Sequence, residues 1–562
     1  MDRLTSSAAH GRRHRRVAGL LLAAAVSTAT ALSAAGCGGG AGAAGSTGGG
    51  TLRFGDALSN IDATNPFVGT NVLARAAYEQ TYPELVQYGY DNQITGDFAK
   101  SWTFGDDGRT LTMKTAADAK WSDGRPLTSR DAAWTLNTAV KYKDGPTAAF
   151  GSGIDGLVSA EAPDATTLVL HYSRAAGTAL SQLRRVPILP QHVWAPHVGS
   201  DGKGLQSFRN EAPIVSGGPF IWTTFKKDQV ALFKRNPNYY GKAPRLEGFG
   251  IQHYSSNDAL LQSLKNGEID AALELNGVEA NSLKGMQGIK VKSGPGWIWD
   301  ALGINSNPKR TDHRELLDPD VRMAFAKAID TKELNDRLQL GYAQPTATQI
   351  PVGEFSDPSL KPVAVDVAGA NALLDRLGYR KGANGIRVAD GHPMSYQLDL
   401  STGFGSSERV AQLLTASLAR IGVKVDAKIM DGSAFWDRVT GPDYKYTNSQ
   451  LFVESWSNYP DPDFSLSLQT CAQLGGLNET GYCNKDYDKL YQRQASEIDV
   501  AKRKPIVYRL QQMLYRDRPF SVFYNEPAIE GWRAQWTGYG RMKGSTFSAL
   551  SKFPLIDVHR AS

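Results

Sequence analysis

Apolar and polar positions follow two different periods along this chain, and the two alternate. Thr110-Leu-Thr-Met-Lys114 alternates side by side, as a half-buried strand does, and Thr166 to Tyr172 reads the same way. Between them, Thr128 and Asp131 have the spacing of a helix start, and Ala133, Leu136, Ala139 and Val140 then recur at helical intervals. Asp258 to Lys265 predicts a helix stopped by Asn266-Gly267, followed by a strand over Ile269–Leu275. Further on, Asp318-Pro319 opens a helix with Val321, Phe325, Ala328 and Ile329 on one face, ending near Gly341. Ser407 begins another, with Val410, Leu413, Leu414, Leu418 and Ile421, and Gly422 stops it. Val423, Val425, Ala427 and Ile429 alternate as a strand. Val507, Leu510 and Leu514 mark a late helix, after which Pro519 leads into the strand Phe520 to Tyr524. Helices alternating with strands predict an α/β fold, and about five hundred residues exceed what one hydrophobic core holds, so two lobes are expected.

The first fifty residues do not fit this pattern. Arg12, Arg13, Arg15 and Arg16 precede an Ala-, Leu- and Val-rich run from Val17 to Leu32, and Ala34-Ala35-Gly36-Cys37 follows. A positive start, a short apolar run and small residues make a secretory signal over residues 1–36, and a cysteine directly after it is the lipid acceptor of bacterial lipoproteins. Ala34 stands where leucine is commonest. Gly38 to Gly50 is nearly all Gly, Ala, Ser and Thr, a tether that cannot bury a core. Beyond the signal no apolar stretch is long enough to cross a bilayer.

Charge changes little once the leader is set aside. Residues 1–37 hold five Arg and one Asp, net +4 of the chain's +6, which leaves +2 for the remainder. No basic stripe is left to bind nucleic acid. With Cys37 assigned to lipid, Cys471 and Cys483 remain, twelve residues apart, and an oxidising compartment favours a disulfide between them. Zinc is the alternative, but two ligands with no clustered histidine do not make a zinc site. His192 and His197 lie five apart across Pro196 and form no helical metal pair, so no metal and no cofactor is expected. For an exported hydrolase the chain lacks a Gly-x-Ser-x-Gly elbow and a His-Glu-x-x-His helix. Ser306-Asn-Pro-Lys309 matches Ser-x-x-Lys, yet Pro308 would spoil the helical turn that aims the lysine.

Six segments in order carry a resemblance. Ala99-Lys-Ser-Trp102 leads through Trp121-Ser-Asp-Gly-Arg-Pro-Leu-Thr128 to Asp131. Gly217-Gly-Pro-Phe220, Arg235-Asn-Pro-Asn-Tyr-Tyr-Gly241, Asn266-Gly-Glu-Ile-Asp270, Asp320 to Asp330 and Ser455-Trp-Ser-Asn-Tyr-Pro-Asp-Pro462 follow. Together they resemble family 5 of the bacterial extracellular solute-binding proteins, the oligopeptide, dipeptide and nickel class that serves ABC importers. The resemblance implies a two-lobed periplasmic-binding-protein-like fold of type II, with a cleft between the lobes. Lobe I would span 51–295, with an extra subdomain over about 66–187, lobe II 296–525, and a C-terminal return 526–562. It also implies a monomeric binding protein without catalytic activity, held at the outer face of the membrane by lipid on Cys37, that delivers its solute to the permease subunits. Peptide is the first expectation for that solute, oligosaccharide the second and a nickel chelate the third.

In peptide-binding relatives the Trp-containing segment that ends in Asp-Pro lines the cleft, and an acid within it pairs with the peptide's ammonium. Counted back from Asp461-Pro462, that position is Asn458, which accepts a hydrogen bond but neutralises nothing, a loss of several kcal/mol in a desolvated cleft. Asp461 or Glu454 would then have to substitute. Trp456, Asn458, Tyr459 and Asp461 are the candidate contacts from this segment. Among the aromatics near the expected hinge, Trp297, Trp299 and Tyr524 offer faces for stacking. Asn71, and Phe404 ahead of a helix start, complete the set.

Overall fold

The computed structural model describes residues 50–57, 61–69, 71–442, 445–539 and 550–561. The signal segment, Cys37 and the tether up to Gly49 lie outside them. Local chemistry sets most elements. Thr128 and Asp131 form a capping box on helix Ser129–Lys141, with the Thr128 N–H donating to Asp131 Oδ2 at 3.0 Å. Gly267 takes the left-handed conformation, φ 81°, that ends helix Asn257–Asn266. The Trp121 turn is structural: its indole is fully buried, and the Gly124 N–H donates to the Trp121 carbonyl at 2.9 Å.

A ten-stranded mixed sheet runs through the molecule. Its strands in chain order are β1 (Thr51–Asp56), β2 (Phe220–Lys226), β3 (Val230–Arg235), β4 (Gly248–His253) and β5 (Ala271–Ala272). β6 (Ile289–Ile304), β7 (Ser395–Ser401), β8 (Lys424–Met430), β9 (Leu451–Ser457) and β10 (Phe520–Arg533) complete it. Across the sheet the order is β8-β7-β9-β6-β10-β5-β1-β4-β3-β2. The long antiparallel pair β6 and β10 sits at its centre. Two large apolar cores flank that pair. One gathers Leu52, Phe54, Trp222 and Phe249 with the late residues Trp532, Trp536 and Leu555. The other gathers Leu302, Phe325, Leu398 and Leu414 with Phe523 and Tyr524. β10 therefore contributes to both, and the fold is two-lobed. A second, four-stranded antiparallel sheet (Ala99–Phe104, Thr110–Thr115, Thr167–Tyr172, Leu157–Glu161) packs within the first core.

Two predicted elements differ. The strand expected over 269–275 pairs only at Ala271–Ala272, because Glu274 adopts a left-handed backbone, φ 52°, and turns the chain away. The helix expected from Asp318 to near Gly341 is two helices, Pro319–Ala328 and Thr331–Leu338. Asp330 caps the second by accepting from the Glu333 N–H at 3.0 Å. The apolar face continues across the break, which is why periodicity alone does not reveal it.

Candidate functional site

A cavity of about 740 Å³ opens beside the centre of the sheet and is lined from both cores. Its floor follows from a slip in register. Pro295 pairs with Pro527 and Trp299 with Asn525, so three β6 residues face one on β10. The surplus, Gly296, Trp297 and Ile298, lines the cavity together with Glu526. A side chain at Gly296 would start 2.6 Å from the Glu526 carbonyl oxygen, so the bulge closes only around glycine.

Carboxyl groups gather on this floor. Asp56, Glu274, Asp300, Glu526 and Glu530 all line the cavity. Ser455 Oγ donates to Asp300 Oδ1 at 2.7 Å. Burial, then the adjacent charge of Glu526, pushes the Asp300 carboxyl well above the usual carboxylate range. Burial likewise raises Glu526. Burial raises Glu274 to about 7, helped by the charges of Asp56 and Glu526. These acids are held in a state that an incoming cationic group would relieve.

A second region of the same cavity is basic and aromatic. Arg184 donates to Glu79 Oε1 at 3.1 Å and lies over the Tyr88 ring, 4.8 Å from its centre. Arg185 lies 4.7 Å from the ring centres of both Tyr459 and Phe464. It makes no ion pair with a carboxylate among the described residues, and its Nε is buried without a hydrogen-bond partner. Burial lowers the pKa of Arg185. Burial also opposes ionisation of Tyr459, yet Arg185, Arg75 and Arg184 together outweigh it and lower the phenol's pKa, a measure of how positive this region is.

The residues singled out from sequence divide between the cavity and its supports. Asn458, Tyr459, Phe404 and Tyr524 line it, as does Trp297. Asn458 is 4 % exposed. Its N–H donates to the Trp297 carbonyl at 2.7 Å and its Nδ2 to the Gln349 carbonyl at 2.5 Å, while Oδ1 has no partner. Trp456 is turned to the other side of β9, where its Nε1 donates to Glu479 Oε2 at 3.1 Å and its ring meets Phe464. Glu454 faces the same way, and burial raises it to about 8. Trp299 is fully buried and packs edge-on to Phe520 at 5.1 Å. Asn71 caps helix Val72–Thr81, accepting from the Ala74 N–H at 2.8 Å. Asp461 holds the buried Arg503 through two hydrogen bonds of 2.5 and 2.8 Å. Cys471 and Cys483 are joined by a disulfide. His192 pairs with Asp123 at 2.8 Å, and His197 stacks on Phe208.

Sequence reasoning missed Asp300, Glu274, Glu526 and Arg185. A signal for the acids exists: each interrupts or directly follows an apolar strand run, where an unpaired charge is costly unless it has a task.

A central sheet shared by two cores, with a polar and aromatic cavity between them, defines a two-lobed solute-binding protein. Residues 93–474 match the description "Bacterial extracellular solute-binding proteins, family 5 Middle", and the chain belongs to that family. A candidate ABC transporter peptide-binding protein of Brucella ovis is 26 % identical over 396 residues, 69 % of each chain. The ABC transporter substrate binding protein CtaP of Listeria monocytogenes superposes with a TM-score of 0.77 at 20 % identity, covering 92 % of this chain and 100 % of its own. The oligopeptide-binding protein AppA of Bacillus subtilis, solved with a nonapeptide, superposes with a TM-score of 0.74 at 18 % identity, covering 91 % and 99 %. The family is extracytoplasmic and made of binding proteins, and no helix among the described residues is long and apolar enough to cross a membrane.

Proposed function

We propose that this chain captures a short peptide and delivers it to an ABC permease. The peptide's ammonium would sit on the floor formed by Asp300, Glu526 and Glu274, and its carboxylate against Arg185. The observation that carries this reading is that one cavity is lined both by a group of carboxyls that burial raises and by Arg185, whose Nε is buried without a hydrogen-bond partner. A zwitterion would relieve both at once, whereas a neutral sugar would relieve neither. Asn458, standing where relatives carry an acid, then only has to accept a hydrogen bond through its unpartnered Oδ1. The volume suits a small solute. The similar proteins support peptide as the class, since two of them carry peptide binding in their names. No group arranged for catalysis is part of the reading.

The partition that fits is 51–295 with 526–562 for lobe I and 296–525 for lobe II. The return of Trp532, Trp536 and Leu555 to the first core supports it. The leader's sequence supports a tether by lipid at Cys37, which intact-mass measurement of the mature N-terminal peptide would test.

Calorimetry with a panel of di- to tetrapeptides, free and capped at either end, tests the function. Saturable binding of free peptides is expected, weakened by amidation of the carboxyl end and, in Arg185→Met, insensitive to that amidation. Binding of oligosaccharides but not peptides would refute it.

A further inference from the structure

Outside the cleft, one side-chain cluster has the composition of a metal centre. Among the described residues, His313, Glu315 and His392 are the one group of three possible ligands whose donor atoms all lie within 4.8 Å of one another. We infer that they form a binding site for one borderline divalent cation of the zinc class, which pins the loop before helix Pro319–Ala328 to the neighbouring hairpin.

The site is assembled from two distant pieces of chain. His313 and Glu315 flank the start of the short 3-10 helix Arg314–Leu317, and His313 takes the left-handed conformation, φ 44°, that brings both side chains to the same place. Buried Arg310 fixes the loop ahead of them, its Nη1 donating to the Asn305 carbonyl at 2.9 Å and its Nε to the Asp312 carbonyl at 2.7 Å. His392 comes from the tight turn after Asp390 and Gly391, both of positive φ, 77 residues away from Glu315.

His313 Nδ1 lies 3.0 Å from Glu315 Oε1, and His392 Nε2 lies 3.3 Å from Oε2. Ligand atoms bonded to one zinc ion at about 2.0–2.1 Å sit roughly 3.3 Å from each other in a tetrahedral site. Small rotations of the two rings would thus admit an ion. Tyr396 donates to Glu315 Oε1 at 2.7 Å, the outer-shell contact that holds a ligating carboxylate in place.

The Glu315 side chain is 0 % exposed, and its carboxylate meets both histidines and the Tyr396 hydroxyl. An ion would take the buried Glu315 carboxylate as one ligand and a ring nitrogen from each histidine as the other two. Two imidazoles and one carboxylate suit zinc and its neighbours better than calcium or magnesium. Three protein ligands leave a position for water, and His392, 35 % exposed on its side chain, gives the ion a way in.

The full-length chain, freed of metal by a chelator, should bind one equivalent of Zn²⁺ from ZnCl₂ alone and melt at a higher temperature when loaded. His392→Ala removes a half-exposed ring and keeps the fold, and it should weaken binding roughly tenfold or more, as should Glu315→Gln. His192→Ala should bind as the parent does. Crystals of the loaded protein should show the anomalous zinc peak between residues 313, 315 and 392. Unchanged affinity in His392→Ala, no binding by the parent, or an anomalous peak elsewhere would overturn the site. None of these readouts uses the solute, so the test stands apart from the fate of the peptide reading.

Discussion

Glu274 offers the sharpest test of how the acidic floor meets a solute. Its carboxyl is raised from 4.5 to about 7, by burial first and then by Asp56 and Glu526. In the unliganded protein it is therefore protonated below neutral pH. An ammonium placed beside it restores the charged form and expels the proton, so affinity should climb with pH up to about 7 and level off above. For one proton the slope is tenfold per unit, which makes the rise between pH 5 and pH 8 on the order of a hundredfold. The sign for stability is opposite. A carboxyl raised on folding binds its proton more tightly in the native state, so the empty protein loses stability as pH rises from about 4.5 to about 7. At about 1.36 kcal/mol per unit, the ceiling is about 3 kcal/mol, reduced by whatever water reaches the half-buried group. Calorimetry of peptide binding in buffers of different ionisation enthalpy counts the protons released, and melting of the empty protein across the same pH range reports stability. Glu274→Gln should remove one released proton and flatten both curves. Binding that is independent of pH between 5 and 7, with no proton released by the parent, would refute the placement of the ammonium on this floor.

Two further predictions separate support from recognition. Asp461→Ala leaves Arg503, whose side chain is 3 % exposed, without its carboxylate, and breaking such a pair costs about 3–5 kcal/mol; urea unfolding should show that loss while affinity for peptide in the folded protein stays within about twofold, and the reverse outcome would make Asp461 a solute contact. Trp456→Ala removes a ring packed on Phe464 and strands buried Glu479, at about 3–5 kcal/mol, again with little change in affinity; loss of binding with stability intact would return Trp456 to the cleft.

Elements with local signals were legible in the sequence, and those set by tertiary contacts were not. The Thr128 capping box, the Gly267 stop and the alternating strand at Thr110 each depend on neighbours within a few residues, so the chain alone shows them. The site divides the same way. Asn458 and Tyr459 fall in the segment that the family resemblance assigns to the cleft, Tyr524 among the aromatics expected near the hinge, and all three line the cavity. Trp456 shares their segment, but the two-residue period of a strand sends it to the opposite face, and its indole finds Glu479. Asp461 is two residues from the cavity lining at Tyr459, yet it faces Arg503, which arrives from a helix 42 residues later. No spacing rule in the segment itself reports that partner. Asp300 and Glu526 were hidden for another reason: each is a single acid in a strand-like run, and only the bulge between β6 and β10 brings them together.

That bulge also accounts for the neutral side chain at Asn458. Its N–H is bonded to the Trp297 carbonyl, three residues before Asp300, so the amide stands beside the acidic floor. Burial and the neighbouring charge of Glu526 already raise the Asp300 carboxyl, and burial raises Glu526. A further acid at 458 would be a third buried charge against one incoming ammonium, and it would be held protonated instead of contributing attraction. Under the proposed reading an amide there would supply the hydrogen bond without the electrostatic cost, with the neutralising charge on the strands. The consequence is mechanical as well as electrostatic. β6 and β10 run between the two cores, so a solute that takes up the charge of Asp300 and Glu526 acts directly on the segments that would bend as the lobes close. Under the proposed reading, recognition of the ammonium and movement of the lobes would fall on the same pair of strands.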